Sequence, residues 1–546
     1  MSTVLETQTQ PALALPALAR SAWYEPLLQI VRNMFGMDYR SLGLMRIGMG
    51  ALLVWVAYIN AAEMRIFYTD EGVLPRTVYF NSTVDPPGFS LYFANGGMPY
   101  VATLFVLQGI LAFMMMIGYR TRLATIGSYI FLLSMQNRHP VLLYGADIVL
   151  RVCLFWAMFL PWGRRFSMDR LTGRVPAPAN PTYLSLATIA FFVQFASVYA
   201  GGAMMKTGAT WRVEHNAVAY ALALDVYSRP IGHWLGQFPK ITTALTWGTL
   251  YLELYGPLLF VMPVLSRWFR LFGIFFFAGL QIGFGVCMYL GYFGPVMITI
   301  TLCFLPAVFW DRWAGPLGRR VAAIAGPWFS EGGIGAPPGS LVRRWVHWQR
   351  ARNATWTPFV RGTLRRVLLL SFSGVRELTA AALAVVVVMW NIGNVRVASG
   401  GPWPFDRDFT NLMFTIGINQ TWDMFSPNPQ TIDGWFVVVG TMRDGTTVNL
   451  MNGESPAGYD KPADVANSYG CRLWMSYLIS FWYEGSSDPE AFARYLGEHW
   501  NARHPRDEQF ETVEIDMMLE RVEHSAQGPW KSGDVEQKLV WVEWFW

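Results

Sequence analysis

Nine apolar runs constrain this chain more than any other feature of it. They lie near residues 42–61, 99–117, 123–136, 146–162, 183–203, 243–262, 270–289, 291–310 and 375–394. The hydrocarbon core of a bilayer is ~30 Å thick, a depth that about 20 apolar residues cross as a helix. Inside that core every backbone N–H and C=O must find its partner within the protein, and a helix does this alone. Only 14% of the residues are charged, against roughly 25% in soluble domains. The reading is a mainly α, polytopic membrane protein of about nine transmembrane helices. The run at 123–136 is short, and a break near Gly291 is all that divides the seventh run from the eighth.

Charge tests the count. With the N-terminus in the cytoplasm, nine spans put Arg120 and Arg122, the Arg164–Arg174 loop, Arg267 and Arg270, and the long loop 311–366 on one side. That last loop carries many arginines against Asp311 and Glu331 only. Excess Lys and Arg mark cytoplasmic loops, so one parity explains every strongly basic loop. The loop 62–98 falls outside, where Glu63, Asp70, Glu71 and Asp85 offset its arginines. The net charge of +5 is modest and sits in tethered loops, which argues against nucleic acid as a partner and for an anionic lipid surface. Residues 1–22 lack the basic start and apolar core of a cleavable leader.

Five regions follow. Residues 1–41 form a tail and an amphipathic helix at 23–36, which either lies on the membrane or packs as a short helix. Residues 42–310 form the main transmembrane domain, 311–370 a basic cytoplasmic loop and 371–398 the last helix. Residues 399–546 become soluble-like and are expected outside as a small β-rich domain. There Trp435–Leu450 reads as two strands around an Asp444-Gly445 turn. Ser487-Asp-Pro-Glu490 opens a helix to Asn501, and Thr512–Glu523 and Gln537–Trp546 alternate as strands.

Candidate chemistry sits in four places. The first is Tyr199-Ala-Gly-Gly-Ala-Met-Met-Lys206, followed by Trp211. Small residues permit close packing, and Lys206 arrives where the span leaves the bilayer. Its amine either snorkels to water or sits partly desolvated and takes a proton from a substrate. The second is Asn137-Arg-His139 with Tyr144-Gly145, either a turn satisfied by polar side chains or a site on the same outer face as Lys206. The third is Asp147 and Arg151, four apart on one helix face, either a structural ion pair, as expected here, or a proton relay. Glu253, inside the sixth run, has no evident partner in sequence. The fourth is the Trp422–Pro429 turn, expected to pack the outer domain on the membrane part. The four cysteines are scattered, and no metal-spaced Cys/His cluster is present. No metal site is expected.

These residues resemble a known family. Arg46-Ile-Gly through Phe67-Tyr-Thr-Asp70-Glu-Gly-Val-Leu-Pro75-Arg76, Asn137-Arg-His139 with Leu143-Tyr144-Gly145, and Tyr199 to Trp211 resemble the HTTM domain. This is the membrane domain of vitamin K-dependent gamma-carboxylase and its bacterial relatives. The Trp422–Pro429 turn and the Asp444-Gly445 hairpin are similar to the outer domain of bacterial members. The likeness covers about residues 40–310 and, more loosely, 400–510. It implies a lyase-type enzyme in a bacterial inner membrane, with its C-terminal domain in the periplasm. Lys206 would be the base that deprotonates reduced vitamin K or another quinol, and His139 would support it. Asn137, Tyr144, Trp211, Glu253 and Gln281 would line the substrate site. O2 would be consumed and CO2 added to a glutamate of an exported protein or peptide. Gln281 stands where the family often has a histidine, and the outer domain has no obvious match to the propeptide-binding region. A different class of function also fits the sequence, namely a non-catalytic membrane scaffold or partner subunit of an envelope complex.

Overall fold

The chain enters through an amphipathic helix, α1 (Glu25–Phe35), none of whose side chains is fully buried. Phe35 meets Phe192 edge to face, so this helix packs on the bundle through its C-terminal end. The computed structural model describes residues 24–82, 88–315, 341–356, 363–482, 488–525 and 528–545. Helices dominate it. Next come α2 (Tyr39–Ala62), α3 (Met98–Ile117), α4 (Thr121–Arg138) and α5 (Gly145–Ala157). They are followed by α6 (Leu186–Met205), α7 (Pro239–Tyr255), α8 (Ser266–Cys287) and α9 (Phe293–Phe304). A helix α10 (Leu341–Trp356) precedes α11 (Thr363–Ala398).

Among the described residues, five helices are long and apolar enough to cross a membrane: α2, α3, α6, α8 and the 374–398 part of α11. The other four expected spans are shorter or more polar. The sixth run forms α7 and then tightens into a 3-10 turn over Gly256–Val261. The fourth becomes the 13-residue α5, in which all but Gly145 and Ile148 are buried. A helix walled in by protein on every side needs neither the length nor the apolarity that lipid demands.

Two local devices set the ends of the bundle. Gly118, at φ +71°, closes α3 in the left-handed region that glycine enters without strain. Beside it Arg46, fully buried in α2, donates to the carbonyls of Met115 and Met116 at 2.5 Å each and to Phe166 at 2.5 Å. Terminal carbonyls lack partners inside their own helix, and one guanidinium here serves two segments at once. Arg46 is thus a packing knot. At the N-terminus of α6, Ser185 accepts from the Thr188 N–H.

The arginine-rich segments gather around that end. Trp345 of α10 lies against Tyr119, and Arg350 donates to the Leu171 carbonyl at 2.8 Å. Arg40 pairs with Asp311. The part of the long loop at 316–340 lies outside the described residues.

The C-terminal part covers the opposite end. Strands β1 (Ile432–Met442), β2 (Thr447–Asn449), β3 (Phe510–Ser525) and β4 (Gly528–Trp544) form an antiparallel sheet in the order β2-β1-β3-β4. The Asp444-Gly445 hairpin is present, with Gly445 at φ +86° and Asp444 accepting from Thr446 N–H at 2.8 Å. β4 begins at Gly528, nine residues before the expected strand, because it follows β3 through one long hairpin. Among the described residues three helices of eight or more residues accompany the sheet: α12 (Arg407–Thr415), α13 (Arg472–Ile479) and α14 (Pro489–Asn501). The domain is therefore α+β. Asp488 caps α14 by accepting from Ala491 N–H; Ser487 lies outside the described residues.

Candidate functional site

Helix α6 does not run to its end as a regular helix. It loosens into a π turn at Ser197–Gly201 and resumes over Gly202–Met205. Such bulges re-aim the residues that follow and recur at functional sites. Lys206 follows directly. The Arg212 guanidinium donates to the Lys206 carbonyl at 2.8 Å and to that of Ala203 at 3.3 Å. This closes the helix end and holds the loop from 206 to 212.

Lys206 does not snorkel. It is 5% exposed, and its Nζ donates to Glu253 Oε2 at 2.7 Å. Glu253 comes from α7 and is itself 8% exposed. The ammonium also lies 5.2 Å from the centroid of the Trp211 ring, within reach of a cation–π attraction. The Trp211 indole N–H donates to the Phe425 carbonyl at 2.8 Å. Two distant segments thus converge on the lysine. Glu253, which had no evident partner in the sequence, is the counter-ion of Lys206.

The pair forms the polar corner of a cavity of about 610 Å³. Its walls come from α7, α8 and the segment 218–235, and Met424 and Phe425 roof it. Gly248, Gly279 and Gly283 line it, and a Cβ added at any of the three would meet nothing within 4 Å. The missing side chains are what make the room. Phe272 and Phe275 flank it and are 53% and 72% exposed, so the cavity borders the apolar outer surface of the bundle. It is mostly apolar with a few convergent polar groups, the usual character of a small-molecule site.

The Trp422–Pro429 turn packs against this loop, as its sequence suggests. Gly208 N–H donates to the Pro427 carbonyl at 3.0 Å, and Thr210 Oγ donates to Asn428 Oδ1 at 2.8 Å. Its direct contribution to the cavity wall, through Met424 and Phe425, was not legible. Two apolar residues in a turn carry no signal of what they face.

The other candidates lie elsewhere. Gln281 is on α8 but off the cavity face, with its amide donating to the Tyr199 hydroxyl at 3.1 Å. Asn137 donates to the Phe89 carbonyl at 2.9 Å. His139 is buried in an aromatic box with Phe67 and Tyr477, and neither ring nitrogen has a hydrogen-bond partner among the described residues. Burial, with the Arg138 charge beside it, pushes its imidazole well below the ordinary value of 6.5 and keeps it neutral. His139 and Lys206 both sit beneath the C-terminal domain, but His139 does not line the lysine's cavity.

The expected Asp147–Arg151 pair requires correction. Asp147 Oδ2 accepts from the Tyr144 N–H at 3.2 Å. This turns the carboxylate back toward the start of α5, away from the residue one turn ahead. Its ionic partner is Arg472 of α13, at 3.7 Å, and the Tyr292 hydroxyl donates to it. Arg151 instead donates to Gln136 at 3.0 Å and to the Asn419 carbonyl at 2.8 Å. Tyr144 belongs to this second cluster, with its hydroxyl accepting from Tyr292 N–H and the Arg472 guanidinium 4.1 Å above its ring. Arg472, 325 residues from Asp147, could not be named from the sequence.

One further group looks like a metal site in outline. Asp225, Asp433 and Glu520 bring carboxylate oxygens within 4.8 Å of one another. The Lys461 ammonium stands among them, paired to Asp225 and to Glu520. Asp433 accepts from the Asp225 N–H at 2.6 Å. The cluster fastens the sheet to the membrane part.

No protein-family model, curated protein or solved structure matches this chain. The class is set by fold and site alone. It is a mainly helical protein with, among the described residues, five helices long and apolar enough to cross a membrane, a small C-terminal sheet, and a buried lysine–glutamate pair at the edge of an apolar cavity.

Proposed function

We propose that the chain is an HTTM-type, carboxylase-like enzyme of the bacterial inner membrane that takes a proton from a reduced quinone. The observation that carries this reading is the Lys206–Glu253 pair, 2.7 Å apart, on the wall of an apolar cavity beside the exposed Phe272 and Phe275. A quinol has a flat apolar body and a hydroxyl, and it reaches such a cavity through the bilayer.

The chemistry follows from the pair. With the amine neutral and Glu253 ionised, the site holds one buried charge without a counter-charge. An unpaired buried charge is costly, and a neutral ion pair is less so. Proton uptake by Lys206 from a docked hydroxyl leaves the net charge at one negative but sets the new ammonium between Glu253 and the oxyanion, so that both anions gain a partner. Glu253 then holds the ammonium in place beside the oxyanion it has generated. Trp211 offers a ring face to the cation and an apolar wall to the substrate. Oxygen-dependent epoxidation, coupled to CO2 addition at a substrate glutamate, is the fuller reaction that the family resemblance implies.

One observation favours a narrower version. His139, the expected helper, lies outside the cavity, which supports quinol deprotonation and oxidation without the rest of the carboxylase sequence.

The test is oxygen-dependent turnover of a reduced naphthoquinone by the purified protein. Lys206→Ala is expected to abolish turnover and Glu253→Gln to lower it by roughly a hundredfold or more, within the range for a positioned acid–base group. Unchanged turnover in Lys206→Ala removes the lysine from the mechanism.

A further inference from the structure

A second cavity, of about 780 Å³, lies at the other end of the bundle. It is bounded by the start of α4, the segment after α5, the 169–175 turn and α11. Five arginines line it: Arg120, Arg122, Arg164, Arg174 and Arg376. The first four have no acidic side chain within ion-pair distance among the described residues. Arg376 pairs with Glu377 at 2.6 Å, and its Nε is buried without a hydrogen-bond partner. The acid in the lining, Asp169, is already engaged. Its carboxylate accepts from Arg120 N–H, Thr121 N–H and the Thr121 hydroxyl at 2.7–2.9 Å. The helix start is thereby satisfied, and the guanidiniums of Arg120, Arg122, Arg164 and Arg174 are left to a ligand.

We propose that this cavity seats the phosphate of an anionic phospholipid headgroup. Guanidinium forks match phosphate oxygens two at a time, and several converge here. Beyond the arginines the lining turns apolar through Leu123, Ile126 and Pro161. Leu123, Ile126 and Ile130 are 58%, 41% and 40% exposed and lie on one face of α4. An acyl chain descending from a headgroup in the cavity runs along that face; a soluble phosphate ester has nothing to place there. The basic helix α10, packed on the 171–172 segment, adds attraction for an anionic leaflet. The proposal is independent of the quinol reading.

The experiment uses the full chain, purified in detergent, stripped of lipid, and offered an equimolar mixture of phosphatidylglycerol and phosphatidylcholine. Retained lipid is read by native mass spectrometry. Wild type is expected to keep phosphatidylglycerol selectively, and Arg122→Gln/Arg164→Gln/Arg174→Gln to lose roughly tenfold or more of that retention. The control Arg32→Gln/Arg267→Gln/Arg312→Gln removes the same charge outside both the cavity and α10 and is expected to keep it. Equal loss in both triples means diffuse surface attraction and overturns the site. Glycerol phosphate is the soluble arm. If it competes as well as the lipid, the phosphate chemistry stands but the lipid assignment falls. Should the first triple not survive purification, the exposed Arg174→Gln alone carries the same comparison: selective loss of phosphatidylglycerol supports the site, and unchanged retention overturns it.

Discussion

At the scale of single residues, the buried pair is the feature with the largest consequence. Removing one partner of a buried ion pair leaves the other charge unpaired, and this typically costs about 3–5 kcal/mol. Replacing both with apolar residues of similar volume is often neutral or better. Glu253→Gln is therefore expected to destabilise the protein by about that amount. Lys206→Met/Glu253→Leu is expected to recover most of it, in thermal unfolding of the detergent-solubilised protein. A double variant that folds as well as wild type yet turns over no quinol assigns the pair to chemistry. A double variant as unstable as the single one would show that the pair holds the fold through more than mutual neutralisation. Sequence reasoning reached both residues but not their contact. Lys206 stood out against a span of small residues and Glu253 as an acid inside an apolar run. Nothing in a 47-residue separation says that the two meet. Asp147 and Arg151 show the converse error. Their spacing was right for a pair, and a backbone N–H of Tyr144 claimed the carboxylate first.

At the scale of elements, periodicity and turn chemistry carried most of what could be read. The Asp444-Gly445 hairpin, the helix after Asp488 and the first long apolar helices all stand close to where their sequences put them. The departures have physical causes. The π turn at Ser197–Gly201 shifts helix phase without changing composition, so no pattern marks it. The additional helices α12 and α13 rest on tertiary contacts, such as that of Arg472 with the Leu142 carbonyl at 2.9 Å. The cavity face of α8 was hidden for a similar reason. Glycine in an apolar helix reads as a packing residue, whereas Gly279 and Gly283, one turn apart, face open space. That gives a direct test. Gly279→Leu and Gly283→Leu put side chains into a void where a Cβ meets no atom within 4 Å, and leucine is also the better helix former, glycine trailing alanine by ~0.8–1 kcal/mol. Both are expected to hold or raise stability while weakening quinol binding, measured as a rise in KM with the melting temperature maintained. A loss of stability would mean that the cavity closes when empty. An unchanged KM would place the substrate elsewhere.

At the scale of the whole molecule, arginine placement read along the chain agrees with how the helices pack. Arg46, Arg270 and Arg350 all meet carbonyls at one end. Lys461, Arg472 and the Trp422–Pro429 turn join the C-terminal domain to the other. Among the described residues five helices meet the length and hydropathy needed to cross alone, so the nine-span reading depends on α4, α5, α7 and α9 crossing as shorter, protein-lined segments. Five and nine are both odd, so parity tests what the two readings share. An odd count separates the N-terminus and the basic loops from the C-terminal sheet, whereas an even count puts both on one side. In a Cys471→Ser background, Asp444→Cys at the hairpin turn and Arg344→Cys on α10 report the two ends. A maleimide that cannot cross membranes is expected to label the hairpin position in intact spheroplasts. The α10 position is expected to react only after lysis. Labelling of both before lysis, or of neither, would break the nine-span topology. Labelling of α10 alone would invert it and turn the Lys206 cavity toward the cytoplasm, where no exported substrate could reach it.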